Sequence, residues 1–93
     1  MKVNKNFVVR AMGETDGKKS YYAIAVGKAA KDFKGMVKLN ETAHEVYEYV
    51  KAGLTEEEIV EKMFSIYDAE RSVIEENVKN TLATLKSVNA IID

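Results

Sequence analysis

The chain has 93 residues, which suffices for one core and leaves little room for a second, and its 46% hydrophobic and 31% charged residues belong to the ordinary soluble globular class. It contains no cysteine, which excludes a disulfide framework, a thiolate zinc site and a cysteine nucleophile together. The net charge of −1 conceals an uneven distribution: residues 1–40 carry nine Lys or Arg against three acids, net +6, and residues 41–93 carry five against twelve, net −7. Such a contrast either steers an acidic partner to the first half and a basic one to the second, or is simply a dipolar solvated surface.

At the N-terminus, the apolar run Phe7–Val9 ends at Arg10, too soon for the apolar segment of a signal peptide. No window approaches the roughly 20 apolar residues of a membrane span. The expected setting is the cytoplasm, with no membrane partner.

Asn6–Met12 (NFVVRAM) and Ser20–Val26 (SYYAIAV) are rich in Val, Ile, Phe and Tyr, and Gly13–Gly17 supplies turn residues between them, so a hairpin is predicted. The polar stretch 27–34 (GKAAKDFK) leaves open a helical turn over Ala29–Lys31 and leads into Gly35–Leu39, a third short strand.

Asn40 is a natural N-cap, because its side-chain oxygen can accept from a free amide of the following turn. Ala43, Val46, Tyr47 and Val50 then recur at helical spacing, and Gly53 offers the stop. Thr55–Glu58 (TEEE) fits a capping box that opens a second helix with apolar positions Ile59, Val60, Met63, Phe64 and Tyr67. After a break at Asp68–Glu70, Ile74, Val78, Thr81, Leu82 and Leu85 form one stripe of a long third helix, and the apolar tail Val88–Ile92 is expected to pack back.

The order is β-β-β-α-α-α: an α+β fold of winged helix-turn-helix type, a three-stranded antiparallel sheet followed by a three-helix bundle. One domain over 1–93 is expected, with a β-wing at 1–39 and a trihelical unit at 40–93, because so small a sheet is stable only when helices cover one face.

Signals for catalysis are weak. His44, the only histidine, lies among Glu41, Glu45 and Glu48, too few converging groups for a metal or a general base. Adjacent glutamates at 56–58 and 75–76 point about 100° apart on a helix and do not share a substrate atom. Gly13 and Gly17 lack the frame of a phosphate loop. No enzyme activity, cofactor or metal is expected.

The segment Gly35–Ile92 resembles the PqqD family. A strand ending in Leu39-Asn40 runs into Glu41-Thr42-Ala43 and the large pair Val46-Tyr47; Thr55–Ile59, the Tyr67-Asp68 junction and Leu82 with Leu85 follow in the family's order. Asp32-Phe33 before Gly35 is similar to the family's approach to that strand. Tyr47 stands where the family often has Trp, and Val88-Asn89-Ala90 replaces its more usual glycine-containing end.

The resemblance implies a domain that binds the leader of a ribosomally made precursor peptide and presents it to a modifying enzyme, often a radical S-adenosylmethionine enzyme. In such domains the leader adds as a strand on the third strand, beside the third helix. Carried onto this chain, the peptide-binding residues are Gly35, Met36, Val37, Lys38 and Leu39 on the strand and Arg71, Val73, Ile74, Asn77 and Thr81 on the helix. Lys38 both deters self-pairing and attracts an acidic leader. Val73, Asn77, Asn80 and Thr84 form an uncharged flank that either floors the groove or packs on the protein's own strands.

Two alternatives stand beside this one. A winged-helix DNA-binding regulator would use the basic strand half, although the third helix, with Glu70, Glu75 and Glu76 against Arg71, Lys79 and Lys86, attracts a phosphate backbone poorly. An interaction or dimerisation module without peptide would use the same strand edge to take a copy of itself.

Overall fold

The computed structural model describes residues 1–15, 18–27 and 36–93. In chain order the elements are β1 (Lys2–Val3), β2 (Phe7–Thr15), β3 (Lys18–Ala25), β4 (Met36–Leu39), α1 (Glu41–Lys51), α2 (Glu56–Ile66), α3 (Arg71–Ser87) and β5 (Ile91–Ile92). Strands β2, β3 and β4 form an antiparallel sheet in that order, so β4 is an edge strand among the described residues. The α+β order of three sheet strands and three helices is the one predicted. Gly35, Asp32-Phe33 and the possible turn at Ala29–Lys31 lie outside the described residues.

Strand alternation decides which sheet face the helices cover. Phe7 pairs with Ala25, Ala23 with Val9 on one side and Val37 on the other, and Tyr21 with Leu39. All seven lie in or against the core, and Ala23 is fully buried. Small side chains at Ala23 and Ala25 bring the helices close to the sheet. Arg10, Tyr22 and Lys38 form a cross-strand row on the opposite face, where Arg10 and Lys38 are exposed.

The hairpin is longer than expected. Pairing continues to Thr15 opposite Lys18, and the register shifts between Ala11 and Glu14. Gly13, at φ 83°, sits in that irregularity rather than in the connecting turn. A glycine in the left-handed region takes up the extra residue of a bulge at no steric cost, so turn-forming residues do not always mark the turn.

Local signals set the helix ends as predicted. The Asn40 side chain accepts from the Ala43 N–H at 2.7 Å. Thr55 Oγ1 accepts from the Glu58 N–H at 3.2 Å while a Glu58 carboxylate oxygen accepts from the Thr55 N–H at 3.0 Å, closing the capping box. Helix α1 stops in a Schellman motif: Gly53, at φ 93°, donates to Val50 and Leu54 to Tyr49.

Helix α3 ends the same way without glycine. Asn89 takes φ 63° and donates to Lys86, and Ala90 donates to Leu85 at 2.9 Å. Asn is the non-glycine residue that best tolerates this conformation. The chain then turns back as β5 and pairs with β1, Val3 opposite Ile91 and Lys2 opposite Ile92. The tail does pack back; the expectation did not include its pairing with Lys2–Val3, because two-residue strands carry no periodic signal.

The core joins Val46, Tyr47 and Val50 of α1, Ile59, Val60 and Met63 of α2, and Ile74, Val78, Leu82 and Leu85 of α3 to the sheet, Ala90 and Ile91. Each fully buried Val, Ile or Leu contributes about 1.5–3 kcal/mol relative to exposure. Phe64 and Tyr67, expected on the apolar face of α2, are instead exposed. The Phe64 ring lies under the Arg71 guanidinium, 5.7 Å from its centre, and the Tyr67 hydroxyl donates to Glu45.

Candidate functional site

The free edge of β4 is defined by hydrogen-bond alternation. Val26 donates its N–H to Asn6 at 2.7 Å, one residue beyond the pair Phe7 and Ala25. Bonded and non-bonded pairs alternate along an antiparallel ladder, so Ile24 and Tyr22 direct their backbone groups to β2. Tyr21 and Ala23 therefore direct theirs to β4, where their partners are Leu39 and Val37. The N–H and C=O of Met36 and Lys38 face away from β3, towards the open edge. Among the described residues no strand pairs on that side, and a row of backbone groups so directed is a template for another extended chain.

A cleft of about 250 Å³ lies between the end of β4 and α3. Lys38, Leu39 and Asn40 of the strand end and Asn80, Thr81, Thr84 and Leu85 of the helix line it, together with Ala43 of α1. Leu39 and Leu85 are buried beneath it, and Asn40, Asn80, Thr81 and Thr84 give its rim uncharged polar groups.

Helix geometry separates the predicted residues. Val73, Asn77, Asn80 and Thr84 are all exposed, so this flank is not packed against the protein's own strands, and Thr81 is half-buried beside it. Ile74 belongs to the core at 4% exposure and supports the wall from behind. Arg71 is on the other side of the helix: it pairs with Glu61 of α2 and, at 3.0 Å, with Glu75. The structure thus brings Lys38, Leu39 and Thr81 to one cleft and directs Arg71 away from it, because a position about 80° round the helix from Thr81 meets α2 instead of β4. Ala43, Asn40 and Leu85 were not among the expected site residues. Their only signals in the sequence were those of a cap and a core, and neither type of signal reports on a neighbouring cleft.

His44 and Glu45, beside the site, have structural partners. The His44 ring stacks on Tyr21, with centroids 3.8 Å apart and planes 5° from parallel, and its Nε2 lies 3.3 Å from Glu48. Glu45 accepts from both the Tyr49 hydroxyl at 2.8 Å and the Tyr67 hydroxyl, tying α1 to the end of α2. Burial, and then the bond to Glu45, pushes the Tyr49 hydroxyl up to about 12. The bond to Glu45, and then burial, raises Tyr67. Burial raises Tyr47. Among the described residues no group of His, Asp or Glu is placed to hold a metal ion, and no helix is long and apolar enough to cross a membrane.

Fold and site together define a class: a small α+β protein of winged-helix type whose sheet, among the described residues, has one edge open beside its last helix. The chain belongs to the PqqD family, described as coenzyme PQQ synthesis protein D, whose model matches residues 21–91, from within β3 to β5. No curated protein matches it significantly. The structure is similar to that of TbiB1 in complex with the TbiA(beta) leader peptide, at a TM-score of 0.71 and 17% identity, with 100% of each chain covered. At that identity the likeness bears on the fold.

Proposed function

We propose that the protein captures the leader segment of a ribosomally made precursor peptide as an added strand on β4 and holds it for a modifying enzyme, with no catalytic step of its own. The observation that carries this reading is the outward-facing backbone of Met36 and Lys38 beside the cleft to α3. Membership of the PqqD family supports it, as does the likeness to TbiB1, a protein solved with a leader peptide.

In this reading Met36 and Lys38 supply the paired backbone groups, and Val37 and Leu39 hold the strand to β3. Thr81, with Asn77 and Val73 further along the helix, faces the leader's side chains. The modifying enzyme is of the radical S-adenosylmethionine type that the family resemblance implies. The core shared by sheet and helices supports treating residues 1–93 as one domain. Holding a peptide in register raises its effective concentration at the enzyme, which requires no acid, base or nucleophile on the holder.

An amide NMR titration with a leader peptide tests the reading. Shifts confined to residues 36–39 and 73–84 are expected. Shifts confined to β2, or to the α2 side of α3, would refute it.

A further inference from the structure

The alternation that leaves Lys38 facing the open edge also sets the register of anything that pairs there. This inference rests on the strand-capture reading and adds a sequence requirement to it. In an antiparallel addition, the leader residue opposite Lys38 exchanges both backbone hydrogen bonds with it. Directly opposed residues share a face, so that leader side chain stands on the outer face of the sheet beside the Lys38 ammonium. The residues before and after it turn to the other face, opposite Val37 and Leu39, and enter the space in front of α3.

The two faces differ in chemistry. On the outer face Lys38 continues a cross-strand row with Tyr22 and Arg10, and among the described residues neither Lys38 nor Arg10 forms an ion pair. A cation at the end of a sheet row, with no carboxylate partner and no neighbouring strand among the described residues, favours an anion in the adjoining position. On the inner face the cleft is lined by Leu39, Ala43 and Leu85 together with Asn40, Asn80, Thr81 and Thr84, none of which is charged. Such an uncharged lining favours apolar over ionised side chains.

We propose that the protein selects extended peptides with the pattern apolar–acidic–apolar, the acidic residue opposite Lys38 and its two neighbours directed to α3. Lys38 is then a specificity residue through its side chain as well as a pairing residue through its backbone. An opposed charge pair on an exposed sheet face changes affinity by only about two- to fivefold, so the acid sets register and preference while the backbone bonds and the cleft supply most of the binding.

Selection of a random linear peptide library on the wild-type protein, on Lys38→Glu and on Lys38→Pro tests this. The wild type is expected to enrich peptides with one acid between apolar residues. Lys38→Glu, which changes an exposed side chain, should enrich a basic residue at the same place in the same apolar frame. Lys38→Pro, which removes the outward amide, should enrich nothing. Acidic enrichment that persists on Lys38→Glu, or wild-type peptides with no charge preference, would overturn the register while leaving strand capture intact. A wild-type protein that enriches no peptide at all would overturn strand capture and the register with it.

Discussion

The Asn4 side-chain amide donates to the carbonyl of Asn89 at 2.8 Å, and the Asn4 N–H donates to Ala90 at 2.9 Å. Through these two bonds the start of the chain is fixed to the turn that ends α3, and the short β1–β5 pair closes beside it. The turn depends on Asn89 at φ 63°. Asn89→Gly should therefore keep or slightly raise stability, whereas Asn89→Val should cost about 1–2 kcal/mol, because a β-branched residue is strained in the left-handed region. Urea unfolding of the two variants measures the difference.

Stability should fall at high pH through the tyrosines around Glu45. The folded Tyr49 hydroxyl is raised from 10.0 to about 12, so the folded state holds its proton more tightly than the unfolded chain does. The resulting contribution is fully present below about pH 10 and is lost as pH rises towards about 12. Tyr49→Phe should flatten that loss relative to wild type. Thermal unfolding of both proteins across the range checks the sign.

Proline substitutions at neighbouring positions on β4 should have opposite effects. The Val37 N–H is used by β3, so Val37→Pro breaks the protein's own ladder and costs roughly 1–3 kcal/mol. The Lys38 N–H faces the open edge, so Lys38→Pro should largely keep the fold and lose peptide binding. Circular dichroism melts and peptide titration of both variants separate the two effects.

The two sides of α3 should likewise differ. Thr84→Trp places a large ring in the cleft from an exposed position, and should weaken peptide binding at least about tenfold with stability changed by no more than about 0.5 kcal/mol. Arg71→Ala removes the pairs with Glu61 and Glu75 on the α2 side and should leave peptide affinity unchanged. Calorimetric titration of the two variants with one peptide makes the comparison.

What the sequence revealed and what it hid follow from the range of the forces involved. Asn40, Thr55 with Glu58, and Gly53 act within one turn of chain, so their caps were legible residue by residue. The apolar stripe of α3 was legible because periodicity reports burial, and Ile74, Val78, Leu82 and Leu85 are all in the core. Phe64 was misplaced because either side of a stripe's margin is open to a large side chain until a neighbouring helix is known, and for the same reason the pairing of Arg71 with Glu61 was not legible. The β4 edge could be expected from the strand's position, but which of its amides face outward depends on pairing carried across two ladders from Asn6 and Val26. No pattern within residues 36–39 contains that information.

Amide hydrogen exchange at three consecutive residues tests the central claim most directly. In the free protein the Lys38 amide should exchange fast while Val37 and Leu39 are protected by β3, and a bound leader should slow Lys38 selectively. A Lys38 amide already protected without peptide, or one that stays fast when peptide is bound, would contradict capture at this edge.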